Sequence, residues 1–141
     1  MAILLNALGV IALGAMGWFT LEFVGRPVRG FFDLRRQVRT HMLRLNRLGL
    51  GHDINPSLSA DLLTAEINKT KEALLNLADE LEAFGQSERV AAYFVRKLGM
   101  NAVLAAFSLV LVVRDFDDFE KRCLAYDRVE TALKFTHIPK G

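Results

Sequence analysis

Residues 2–21 read AILLNALGVIALGAMGWFTL, and the stretch from Arg26 to Arg47 that comes next reads RPVRGFFDLRRQVRTHMLRLNR. From Ile3 to Leu21 no side chain ionises, and Asn6 and Thr20 are the only polar ones. As a helix rising about 1.5 Å per residue, this run reaches roughly 28 Å, enough to cross a hydrocarbon core. A cleaved secretory signal has a basic n-region, a shorter apolar stretch and a small-x-small cleavage site. Here no Lys or Arg precedes the run and Arg26 closes it, so the segment reads as a retained anchor. Its unbroken apolarity also fits a buried core helix of a soluble domain, although a chain of 141 residues rarely needs one so long.

The flanks orient the anchor. Trp18 and Phe19 stand where an interfacial aromatic belt belongs, and Arg26, Arg29, Arg35, Arg36, Arg39, Arg44 and Arg47 come within reach of that membrane face. Positive charge stays in the cytoplasm, which places the N-terminus outside and the remainder of the chain inside. Gly9, Gly14 and Gly17 with Ala7, Ala12 and Ala15 make the anchor rich in small residues, but no two of them stand four apart. The small-xxx-small dimer signal is therefore missing.

Composition agrees with a small anchored protein: 52% of residues are hydrophobic and mean hydropathy is +0.23, yet 24% are charged and nearly all of these come after Val24. The net charge of +2 hides a local asymmetry, since residues 26–49 carry seven Arg against Asp33 alone. A single cysteine, Cys123, excludes an internal disulfide and fits a reducing compartment. It reads as a small core residue on an apolar stripe.

Past the anchor the chain reads as consecutive helices without internal repeats or low-complexity tracts. The first has Pro27 in its opening turn and runs to about Leu48. Phe31, Leu34, Val38, Met42, Leu45 and Leu48 fall on one side, with arginines over the rest. Phe32 and Leu43 sit among those arginines, a mixture that suits a helix at a lipid headgroup surface. After a loop over residues 49–54, Asn55-Pro56 supplies a cap and a first-turn proline for a helix reaching about Phe84. Leu63, Ile67, Thr70, Leu74, Leu77, Leu81 and Phe84 form a narrow seam with the spacing of a coiled coil or helical bundle. Gly85 is expected to end this helix and Ser87 to cap the next, which buries Val90, Ala91, Phe94, Val95 and Leu98 before Gly99 stops it.

From Met100 to Val113 the chain is apolar on all sides apart from Asn101 and Ser108. Counted from Leu98 it offers roughly 24 Å of helix, short of a usual span, so a helix buried in the domain is favoured. The alternatives are a second crossing, which would make a membrane-perturbing or pore-forming hairpin, and a short strand over Leu109 to Val113. A final helix from about Phe116 to Phe135 is expected to bury Phe116, Phe119, Cys123, Tyr126 and Leu133.

The fold class is thus all-α. Residues 1–25 form a transmembrane anchor, 26–49 a basic amphipathic juxtamembrane helix and 50–141 a small antiparallel helical domain in the cytoplasm. The order Glu22-Phe23-Val24-Gly25-Arg26-Pro27, Phe31-Phe32-Asp33-Leu34-Arg35, Leu81-Glu82-Ala83-Phe84 and Val95-Arg96-Lys97-Leu98-Gly99 resembles a family of small uncharacterised bacterial single-pass helical membrane proteins. The similarity spans nearly the whole chain. It implies a bacterial inner-membrane location and an architecture, but no activity or site. The part of that family matching Met100 to Val113 is less hydrophobic.

Chemistry-bearing motifs are scarce. His41, His52 and His137 are isolated, and His52-Asp53 is only an adjacent pair. Asp115, Asp117, Asp118 and Glu120 lack the loop glycine and spacing of a calcium site and suit the start of a helix, where its dipole favours them. There is no phosphate-cradling glycine loop and no nucleophile with a base that periodicity places beside it. No enzyme, cofactor, metal or small-molecule substrate is expected. Most of the arginine charge lies within about a Debye length of the membrane, so lipid contact by those arginines with Phe32 and Leu43 is expected and nucleic acid is not. The expected role is a membrane-anchored interaction or scaffold module, acting as a homo-oligomer or as a subunit of a larger membrane complex.

Overall fold

A computed structural model describes residues 2–49 and 60–135, all of it helices and the turns that join them. Helix α1 (Ala2–Thr20) passes through a π-helical turn (Leu21–Gly25) into α2 (Arg26–Gly49) without a break. Then come α3 (Ala60–Ser87), α4 (Arg89–Lys97), α5 (Ala102–Arg114) and α6 (Phe119–Leu133). The expected cap at Asn55-Pro56 and the residues 50–59 around it lie outside the described residues.

The π turn sits directly ahead of Pro27. Proline has no N–H to give, and in a regular α-helix its ring collides with the carbonyl four residues back, here that of Phe23. The wider turn accommodates it, with the Arg26 N–H reaching back five residues to the Leu21 carbonyl. Sequence periodicity starts a new helix at this proline, whereas the chain continues one.

Every residue from Asn6 to Thr20 is exposed, so this described part of the apolar helix contributes nothing to the core. The core begins with α2. Phe31, Val38, Met42 and Leu45 are buried on one face, with Leu34 and Leu43 packed at its margin. Helix α3 runs back along α2: Arg44 pairs with Glu66 toward one end, and the Phe31 and Phe84 rings meet at 5.2 Å toward the other. Thr70, Leu74, Leu77, Leu81 and Phe84 are buried, Leu63 and Ile67 half-buried. The Thr70 hydroxyl donates to the Glu66 carbonyl, so its burial leaves no orphan group.

From Ala102 on, the apolar stretch after Gly99 is helix α5, Leu109 to Val113 included, which removes the strand alternative. Helix α5 packs against both α3 and α6. Ala102, Ala105, Ala106, Ser108, Leu109 and Val112 form its inner face, and the Ser108 hydroxyl donates to the Leu104 carbonyl. Asn101 caps it by accepting from the Leu104 N–H at 3.1 Å and ties it to α6 through its own N–H on the Ala132 carbonyl.

Of the expected boundaries around α4, two are corrected and one holds. Gly85 does not end α3, which runs on to Ser87. A methyl group at Gly85 would lie 2.5 Å from Val103 Cγ2, so the glycine is there for the close approach of α5. Ser87 does not cap α4; its hydroxyl donates back to the Ala83 carbonyl, and Glu88 holds the cap position. Gly99 does stop α4. With φ +80 it closes the helix as Gly99 N–H meets the Arg96 carbonyl and Met100 N–H the Val95 carbonyl.

The last helix is shorter than expected. Phe116 is buried in the turn before it, whereas Phe119 is exposed because Asp118 caps α6 and turns the next side chain outward. Tyr126 and Leu133 are buried and Cys123 is half-buried.

Candidate functional site

The two ends of the domain differ in chemistry. At the end away from the π turn, Gly49 lies against Phe116 and Arg122, and Lys71 and Arg122 stack on the Phe116 ring at 4.3 and 5.0 Å. Tyr126 donates to the Met42 carbonyl at 3.3 Å, and burial pushes its phenol pKa upward. Cys123 is on this side.

At the other end α4 packs against the π turn, the start of α2 and α3. It does so through small residues: Ala91, Ala92 and Val95 are buried. Val90, Phe94 and Leu98, expected inside, are turned out. Val90 is 58% exposed, Tyr93 57% and Phe94 48%. On a helical wheel the three exposed apolar residues share one half of α4 with Arg89, Arg96 and Lys97. The Tyr93 and Phe94 rings meet edge-on at 6.0 Å, and the Lys97 ammonium lies 5.5 Å from the Tyr93 ring. Nearby, Glu22 and Arg26 pair across one helical turn and the Phe19 and Phe23 rings stack at 4.3 Å. Sequence periodicity missed this face because it assigns the larger apolar residues to the interior. The basic residues on the same half of the wheel were the available signal.

The arginines expected at lipid divide into two groups. Arg35 donates to the Leu133 and Lys134 carbonyls at 2.7 and 2.8 Å and lies over the Phe135 ring, so it closes the C-terminus of α6. Arg44 is engaged with Glu66. Arg26, Arg29, Arg36, Arg39 and Arg47 stay exposed. Phe32 is exposed with its ring edge-on to Phe31, whereas Leu43 packs against the core. The seam from Leu63 to Phe84 is used within the chain, facing α2 and α5.

A second exposed apolar strip runs along the outer side of α5, through Val103, Leu104, Phe107 and Val110. Phe107 is 60% exposed. Between this strip and α3 lies a groove of about 220 Å³ edged by Asp79 and Glu82.

Among the described residues no three His, Cys, Asp or Glu side chains come together to hold a metal. His41 is half-buried with its Nδ1 unpartnered, while His52 and His137 lie outside the described residues. The acidic group is largely occupied. Asp115 pairs with Arg114 and Asp118 with Lys121, and those hydrogen bonds hold both carboxyls below the usual carboxylate range.

No protein-family model matches the chain, and no curated protein or solved structure is significantly similar to it.

Proposed function

We propose that the protein is a membrane-anchored helical interaction module, with α1 in the bacterial inner membrane and the domain at its cytoplasmic face. The observation that carries this reading is the single helix of 44 residues from Asn6 to Gly49. Its first part is apolar and exposed on every side; its second part is one wall of a water-compatible core. An apolar helix with no burial in its own chain needs either lipid or another protein around it. The arginines of α2 favour the cytoplasmic side for the domain.

The interaction surface is not the α3 seam, which the domain itself consumes. It is the outer strip of α5, where Leu104, Phe107 and Val110 stay exposed beside Val103, which borders α3. That α5 is only 13 residues long, meets α4 at 83° and has its inner face packed on α3 and α6 supports one crossing rather than two.

Labelling of Cys123 with a membrane-impermeant maleimide tests the topology. Protection in intact cells and labelling after lysis are expected; labelling from outside would overturn the reading. Crosslinking and size analysis in mild detergent test the association, with a species larger than the 15.8 kDa chain expected. Phe107→Glu is expected to reduce it to the monomer. A wild-type chain that is monomeric throughout removes self-association from the proposal.

A further inference from the structure

We infer that α4 is a second lipid-contacting element, lying in the plane of the bilayer interface beside the point where the anchor emerges. This rests on the anchoring reading of α1 and adds a site that the arginine helix does not supply.

Three observations converge on it. The first is position. If Ile3 to Leu21 fill the hydrocarbon core, the turn Leu21–Gly25 lies at its boundary, and α4 is packed against that turn. Helix α4 is thereby held at headgroup depth rather than out in the aqueous phase. The second is the inversion of its faces. A short helix of an aqueous domain turns its large apolar residues inward, but α4 buries two alanines and Val95 and presents Val90, Tyr93 and Phe94. The third is charge. Arg89, Arg96 and Lys97 flank those residues, and α4 itself carries no acidic side chain. Aromatic and aliphatic residues intermixed with long basic ones are the chemistry of an interfacial helix: rings enter the headgroup–acyl boundary while basic termini snorkel to phosphates. The occupant is therefore the anionic headgroup layer of the leaflet on the domain side. Tyr93 suits that depth, with an apolar ring and a polar hydroxyl.

The test uses the full chain reconstituted in phosphatidylcholine vesicles with and without phosphatidylglycerol. In a Cys123→Ser background, Val90→Cys and Phe94→Cys each carry an environment-sensitive fluorophore; both side chains are exposed, so neither substitution opens the core. Wild type labelled at Cys123 and Cys123→Ser/Leu13→Cys serve as references. Quenching by lipid-borne nitroxide at positions 90 and 94 is expected to be several-fold stronger than at 123, and stronger again with phosphatidylglycerol present. Arg89→Gln/Arg96→Gln/Lys97→Gln is expected to abolish the added effect of the anionic lipid. Labels at 90 and 94 that respond like the one at 123 overturn the α4 inference while leaving the anchor intact, provided position 13 is quenched. Failure of quenching at position 13 sinks the anchor reading itself.

Discussion

Arg35 and Arg36 are adjacent and chemically identical, yet their surroundings give them different work. The Arg35 fork satisfies two carbonyls that the end of α6 would otherwise leave without intrahelical donors. Charged donors to such groups contribute about 1.5–3 kcal/mol, so Arg35→Ala is expected to lower the thermal midpoint clearly. Arg36 meets Asp33 only at 3.5 Å on the surface, and Arg36→Ala is expected to change stability by less than about 0.5 kcal/mol. Thermal unfolding of the two variants in the same detergent decides the matter. Tyr126 gives a pH signature. Its phenol is neutral in both states below about pH 10; above that the unfolded chain releases the proton while the buried phenol keeps it. Stability is thus complete below about pH 10 and declines as pH rises beyond it, and Tyr126→Phe is expected to flatten that decline in denaturant titrations at high pH. The seven arginines were legible in the sequence as a group, but which one turns inward was not. Arg35 meets residues nearly a hundred positions away, a pairing that local spacing does not encode.

Among the elements, the junction of α3 and α5 carries the sharpest constraint. Gly85→Ala adds helix propensity worth about 1 kcal/mol but drives a methyl into Val103, where overpacking costs about 1–3 kcal/mol. Net destabilisation is expected, and Val103→Ala in the same chain is expected to recover more than independent effects allow, read as a coupling in a double-mutant cycle. A glycine near the end of an apolar repeat carries the same letter whether it terminates a helix or admits a neighbour. Gly99, with its positive φ, is the first kind and Gly85 the second, so the sequence reading was right at one and wrong at the other. Helix α4 escaped for a related reason. Periodicity identifies an amphipathic helix but assigns its inward face by bulk, and in α4 the alanines sit inside because the π turn and α3 approach closely. The positions from Thr70 to Phe84 were legible because α3 is long and its apolar seam offers only one side to a core.

For the whole molecule, the division between an apolar N-terminal helix and a helical domain could be read directly, since 20 uncharged residues need no tertiary information to stand out. Its consequence is testable. Because residues 6–20 bury nothing in the domain, a chain beginning at residue 21 is expected to keep the far-ultraviolet helicity of α2 to α6 and, on the proposed anchoring, to become removable from membranes by high-salt washing. Loss of folding on that truncation would show that α1 contributes to the core after all. What composition did not reveal is that the helix never stops. From Asn6 to Gly49 it is one hydrogen-bonded rod with a single widened turn. A rod of that kind is a lever. With α1 in a bilayer as proposed, a change of local thickness that made it lean by about 10° would sweep the far tip of α2, some 36 Å along, by about 6 Å. Every helix stacked on it would be carried through the same arc, and on the proposed anchoring bilayer thickness would become a mechanical input to a partner held on the outside of α5.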